Sequence, residues 1–195
     1  MRYLLYTAIL GFGCWTVSEV LEIVQGGYSP AVYYLTAAYH VLAGLGIWGL
    51  YKRQTPQKNV FNLASTAIAS VAYLSFTRFP IQVMRSGLSM ADFVNANPIY
   101  KIGGLVWFVG MLLFSVSVFR TGYFPRWTGV IMVIGTVSFV ATPLLGWPTL
   151  LVNVTNIIFA VTVIYISILG LKTVVPTTTD TDVYAEPRDG RIIDQ

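Results

Sequence analysis

The chain has 195 residues, 55% of them hydrophobic and 10% charged, with a formal net charge of +4 and a mean hydropathy of +0.68. That length suits one domain, and that hydropathy makes lipid the solvent against which the fold must be read. A single cysteine excludes an intrachain disulfide and an all-cysteine metal or iron–sulfur centre, and basic residues spread over segment ends, not along one stripe, give nucleic-acid binding no support.

A bilayer core about 30 Å thick takes roughly 20 apolar residues per helix. Six segments meet that requirement: 3–24, 29–51, 60–84, 99–120, 124–146 and 149–172. Their Leu, Ile and Val are mixed with Gly, Ala and Ser and do not alternate strictly, so helices are expected and not barrel strands. The expected fold is therefore all-α, a polytopic transmembrane bundle of six helices over residues 1–172.

The first segment opens "MRYLLYTAILGFGC". It has the look of a signal peptide, but no A-x-A cleavage site follows, so an uncleaved first span is expected. Gly11 stands three residues before Cys14, where a lipoprotein site wants a larger aliphatic, which weighs against lipidation. The same segment then carries two carboxylates, Glu19 and Glu22.

The second segment adds Tyr33, Tyr34, Thr36 and His40, followed by Gly44, Gly46 and Gly49. The third has a small-residue stripe of Ser65, Ala69 and Ala72, then "YLSFTRFPIQVMR" with Arg78 and Arg85, and Pro80 is expected to bend or loosen it. A longer connection, 86–98, leads to the fourth, which opens at Lys101 and carries Gly103, Gly104 and Gly110. Small residues let helix backbones approach closely in lipid, so these stripes are read as packing surfaces. Pro143 and Pro148 bracket the end of the fifth segment. In the sixth, Asn153 and Asn156 lie one turn apart and are expected to cross-link helices by hydrogen bonds; the "NVT" at 153–155 fits the glycosylation pattern but lies too near the membrane to be trusted.

With the N-terminus cytoplasmic, that side holds Arg2, Lys52, Arg53, Lys58, Arg120, Arg126 and Lys172, against Arg85 and Lys101 outside. This bias places both termini on the cytoplasmic side. Trp48 and Trp127 then fall at the inner interface and Trp147 at the outer one, as aromatic anchors do. Residues 1–172 hold ten basic and three acidic residues, net +7, whereas 173–195 hold two arginines and five acids, net −3. Such a segment buries too little apolar surface to fold alone. A flexible acidic cytoplasmic tail is expected, unless it docks on a partner or on the basic loops.

In this topology Glu19, Glu22, Arg78, Arg85 and Lys101 converge on one depth in the outer leaflet, with Tyr33, Tyr34 and, nearer the midplane, His40. A charge in the apolar core costs roughly 2.5–3.5 kcal/mol on insertion scales, so Glu19 or Glu22 is expected to pair with Arg78. Two readings stay open. The cluster either pins helices together, or forms a polar pocket open to the outer face that receives a small charged or amphipathic ligand.

Catalysis has little to stand on. His40 is the only histidine, which excludes bis-His haem ligation within one chain. H-E-x-x-H and G-x-S-x-G are both missing from the sequence, and no lysine lies deep in a span as a retinal site requires. The halves 1–86 and 87–172 show no convincing repeat, which weakens a secondary-transporter reading without removing it.

The stretch "SVFRTGYFPRWTGVIMVIGTVSFV" at 117–140, with "YKRQ" at 51–54, resembles small multi-pass bacterial membrane proteins grouped as a family of unknown function. The resemblance covers about a third of the chain, leaves Glu19 and Glu22 outside it, and carries no activity or cofactor with it. The leading expectation is a non-catalytic accessory or scaffold subunit, packed in the lipid bilayer against membrane-protein partners or further copies of itself. A small-molecule transporter or receptor using the charged cluster competes with it, and a lipid-modifying enzyme comes third. The setting expected for all three is a bacterial or archaeal cytoplasmic membrane.

Overall fold

In lipid an apolar segment must satisfy its own backbone hydrogen bonds, which within one segment only a helix can do. Every described element of this chain is helical. The computed structural model describes residues 2–54, 59–146 and 148–172; the expected tail over 173–195, Lys58 and the Trp147 anchor lie outside the described residues. In chain order the helices are α1 (Arg2–Gln25), α2 (Pro30–Gln54), α3 (Val60–Ser75), α4 (Phe79–Ser86), α5 (Met90–Ala96), α6 (Pro98–Thr121), α7 (Arg126–Leu145) and α8 (Thr149–Lys172).

Five of these pieces are long and apolar enough to cross a membrane: α1, α2, α3 continued through α4, α6 and α8. In α7 the run Arg126–Thr142 is a shorter apolar helix. The starts and stops follow local chemistry. At the end of α1, Gly26 takes φ +69° and the Gly27 N–H returns to the Glu22 carbonyl at 3.1 Å, a glycine-terminated stop. Asn59 caps α3 by accepting from the Phe61 N–H. Gly87, Gly122 and Gly146 end α4, α6 and α7 in the left-handed region.

The third segment is not one regular helix. Pro80 has no N–H to give the Phe76 carbonyl, which instead accepts from Phe79. The chain tightens into a 3-10 turn over Phe76–Arg78 before α4 begins. Within the connection 86–98, which had no expected structure, Ser89 and Asp92 build a small capping box: the serine Oγ accepts from the Asp92 N–H at 3.1 Å and donates to its carboxylate at 2.6 Å. That box starts α5.

The long helices close into a ring, α1 on α2, α2 on α3, α3 on α6, α6 on α7, α7 on α8 and α8 back on α1. Phe12, Tyr39, Tyr73, Trp107, Phe114 and Phe159 fill its centre. The outward faces are apolar as well, with Val71, Leu105, Ile134 and Leu150 all more than half exposed. Polar side chains such as Ser115, Ser117, Asn153 and Asn156 are buried instead, as expected where lipid and not water surrounds the bundle.

Close backbone contact holds part of the ring together. A Cβ added to Gly46 would stand 2.4 Å from the Ala8 Cα, and one on Gly49 2.8 Å from the Leu4 carbonyl carbon. One on Gly110 would stand 2.9 Å from the Ala69 Cα, so α6 meets the small-residue stripe of α3. Gly104 meets nothing within 4 Å and is not part of a seam. One end of the bundle, called here the basic end, carries Arg2, Lys52, Arg53, Arg120, Arg126 and Lys172. The other, the pocket end, carries the α1–α2 turn and α5.

Candidate functional site

Glu19 and Glu22 are three residues apart in α1 and therefore share one face; both are buried, 8% and 9% exposed. A carboxylate in that position needs donors. Glu19 Oε1 accepts from Trp15 Nε1 at 2.5 Å, one turn back on the same helix, and from Asn156 Nδ2 at 3.0 Å on α8. Glu22 faces the Asn153 amide, one turn before Asn156 on α8, and the Tyr28 hydroxyl. Amide and indole donors hold these acids, and neither has a cationic partner among the described residues.

The expected partner Arg78 is exposed in the 3-10 turn, and Arg85 and Lys101 are exposed too. Tyr34 is 59% exposed on the outside of α2. Those four residues do not line the site. Glu19, Glu22, Tyr33 and His40 do: they face one pocket of about 700 Å³, counting its open part.

Aromatic rings make most of the remaining wall. Trp15 stacks on Tyr39 at 4.6 Å between centroids, His40 on Phe76 at 6.0 Å, and Trp107 meets Phe139 at 5.0 Å. Phe79 and Met90 close it from α4 and α5, where Phe79, Val83 and Phe93 form a small second core. The short helix started by the Ser89 capping box is thus what sets Met90 against the pocket.

The polar groups in the wall are largely committed to one another. The Thr36 hydroxyl donates to the Val32 carbonyl at 2.8 Å, which leaves Ser18 Oγ to donate to Thr36 Oγ1 at 2.9 Å. His40 Nδ1 lies 2.6 Å from the Thr36 carbonyl; a carbonyl only accepts, so Nδ1 carries the proton and Nε2 of the neutral ring is the lone-pair nitrogen. Tyr39 donates to the Tyr73 hydroxyl at 2.8 Å. Trp107 Nε1, on a side chain only 8% exposed, is turned toward the Tyr73 hydroxyl.

A second pocket lies behind the first, between the α1–α2 turn and the start of α8, and Glu22 and Tyr28 line both. Tyr28 sits in that turn, outside the helices. Although the side chain is 45% exposed, desolvation, reinforced by the neighbouring Glu22 and Glu19, pushes the phenol above its ordinary range. It stays protonated and able to donate. Its hydroxyl also lies 3.9 Å from the Met90 sulfur.

The basic end holds a different polar group. Arg53, 7% exposed, and Gln54 close α2 inside the bundle rather than in a loop. Ser117 donates to the Asn62 side-chain oxygen at 2.9 Å, while Arg53 Nε and Gln54 Nε2 have no partner among the described residues. Among the described residues no three His, Cys, Asp or Glu side chains gather as a metal site would require.

Sequence reasoning missed Trp15, Tyr39, Phe76, Trp107 and Asn156 as parts of the site. For Trp15 a signal was present, since W-x-x-x-E places the indole one turn from the acid. No family model matches the chain, and neither a curated protein nor a solved structure matches it.

Proposed function

We propose that this protein is a multi-pass membrane protein that binds a small molecule in the aromatic, acid-lined pocket of its outer half, as a transporter or receptor. The reading takes all six expected segments as spans, with both termini cytoplasmic and α5 on the outer side. It keeps the resemblance to small bacterial membrane proteins, and a bacterial or archaeal cytoplasmic membrane as the setting.

One observation carries it: two buried carboxylates border a cavity of about 130 Å³ whose lining, among the described residues, contains no lysine or arginine. Helix glue would bring opposite charges into contact and leave little space between them. A groove on the far side of Glu22 and Tyr28 supports entry from the end bearing the α1–α2 turn. The accessory-subunit expectation leaned on small-residue surfaces. Most of those surfaces are used inside the bundle, with Gly46 and Gly49 against α1 and Gly110 against α3, and these lend no weight to a partner.

Two measurements test the reading. Met90→Cys in a Cys14→Ser background should react with a membrane-impermeant maleimide applied to the outer face of sealed vesicles. Reaction only after permeabilisation would reverse the topology. Native mass spectrometry of the full chain from its own membrane should find a small molecule that Glu22→Gln releases; a bundle that never carries one counts against binding.

A further inference from the structure

We propose that the ligand of this pocket is a protonated amine carried on an apolar body. This rests on the pocket being a binding site and adds the chemical class of what it binds.

The first argument is a count of hydrogen-bond roles. The wall's donors are mostly used up internally: Trp15 on Glu19, Thr36 on Val32 and Ser18 on Thr36, and His40 Nδ1 on the Thr36 carbonyl. Besides the Tyr33 hydroxyl, acceptors are what remain. Both protein donors to Glu19 fall on Oε1, which leaves Oε2 for an incoming group, and Glu22 and the His40 Nε2 lone pair add to it. A ligand complementary to this wall brings N–H donors, and a cation beside either acid in its ionised form relieves the cost of burying that charge.

The second argument is the surface around the acids. The rings of Trp15, Tyr39 and Phe76 border the same space, and a desolvated cation is attracted to an aromatic ring. The third is the apolar part of the wall, where Trp107 and Phe139 lie 5.0 Å apart between ring centroids and line the same space. An anion or a purely apolar guest would serve one part of this wall and fail the rest. An ammonium at the glutamates, with an apolar body against Trp107 and Phe139, serves all of it.

The test uses the purified full chain in lipid nanodiscs and three probes of matched shape: 2-phenylethylammonium, 2-phenylethanol and phenylacetate. Thermal unfolding and quenching of tryptophan fluorescence are followed for each. The ammonium should stabilise and quench at concentrations at least tenfold lower than the alcohol, and phenylacetate should do neither. Glu19→Gln keeps an acceptor for Trp15 and Asn156, and Glu22→Gln lies nearer the surface. Each should weaken the ammonium at least tenfold while leaving the response to the alcohol unchanged.

Equal binding of alcohol and ammonium, or Gln variants that still bind the ammonium as the parent does, would overturn the cation and leave the pocket reading in place. Failure of all three probes would also overturn the amine. The pocket reading would then stand or fall separately, on the maleimide labelling and the retained small molecule.

Discussion

The two halves of the α1–α2 interface are built on opposite plans. Toward the basic end the helices meet backbone to backbone, Gly46 against Ala8 and Gly49 against Leu4, so closely that even a methyl group has no room. Toward the pocket end the same two helices present Trp15, Glu19, Tyr39 and His40, large or charged groups that interlock incompletely and leave a cavity. Small residues maximise close contact where lipid supplies no hydrophobic drive between helices. Big polar aromatics trade some of that contact for a surface able to meet a guest. Close packing and the cavity are thereby placed at different heights on one helix pair.

Substitutions can break that division, and the largest effect belongs to the seam. Gly46→Leu forces side-chain atoms into the Ala8 backbone and should cost on the order of 3 kcal/mol or more, read as loss of the folded bundle in detergent unfolding. Asn156→Leu should come next. It strips Glu19 of its donor from α8, leaves a buried acceptor half satisfied, and should cost about 1–3 kcal/mol, with a change in tryptophan emission because Trp15 shares the same oxygen.

Tyr39→Phe removes one buried hydroxyl pair with Tyr73 and should cost about 0.5–1.5 kcal/mol in the same unfolding measurement. Gly104→Ala meets open space and should change the midpoint by no more than about 0.5 kcal/mol. If Gly46→Leu were tolerated as well as Gly104→Ala, the contrast between the two halves would fail.

Much of this architecture was legible from apolar run length alone, since helix formation in lipid leaves the backbone few other options. The burial of Glu19 and Glu22 was legible too, because carboxylates in such a run demand partners. Their partners were harder to read. Opposite charge suggested Arg78, but Asn153 and Asn156 answer the acids with neutral donors, and no pattern in one sequence ties residue 19 to residue 156. The face of Arg78 was misjudged for a geometric reason. A two-turn spacing from Arg78 to Arg85 assumes a continuous α-helix, whereas a 3-10 turn advances about 120° per residue in place of 100°. Across Phe76–Arg78 the helical phase shifts. The aromatic wall was not legible because it assembles from five helices.

The hydrogen bond between Asn156 and Glu19 joins side chains 137 positions apart and has a consequence for biogenesis. α1 leaves the ribosome first and α8 last of the described helices. Until α8 arrives, Glu19 has only Trp15, so the first span enters the bilayer carrying part of a penalty of roughly 2.5–3.5 kcal/mol per buried charge. The ring therefore cannot close from its beginning. Its opening helix waits, incompletely paid, for the last one to be threaded in, and a chain truncated before residue 149 should lose α1 to the quality-control machinery more readily than any other span.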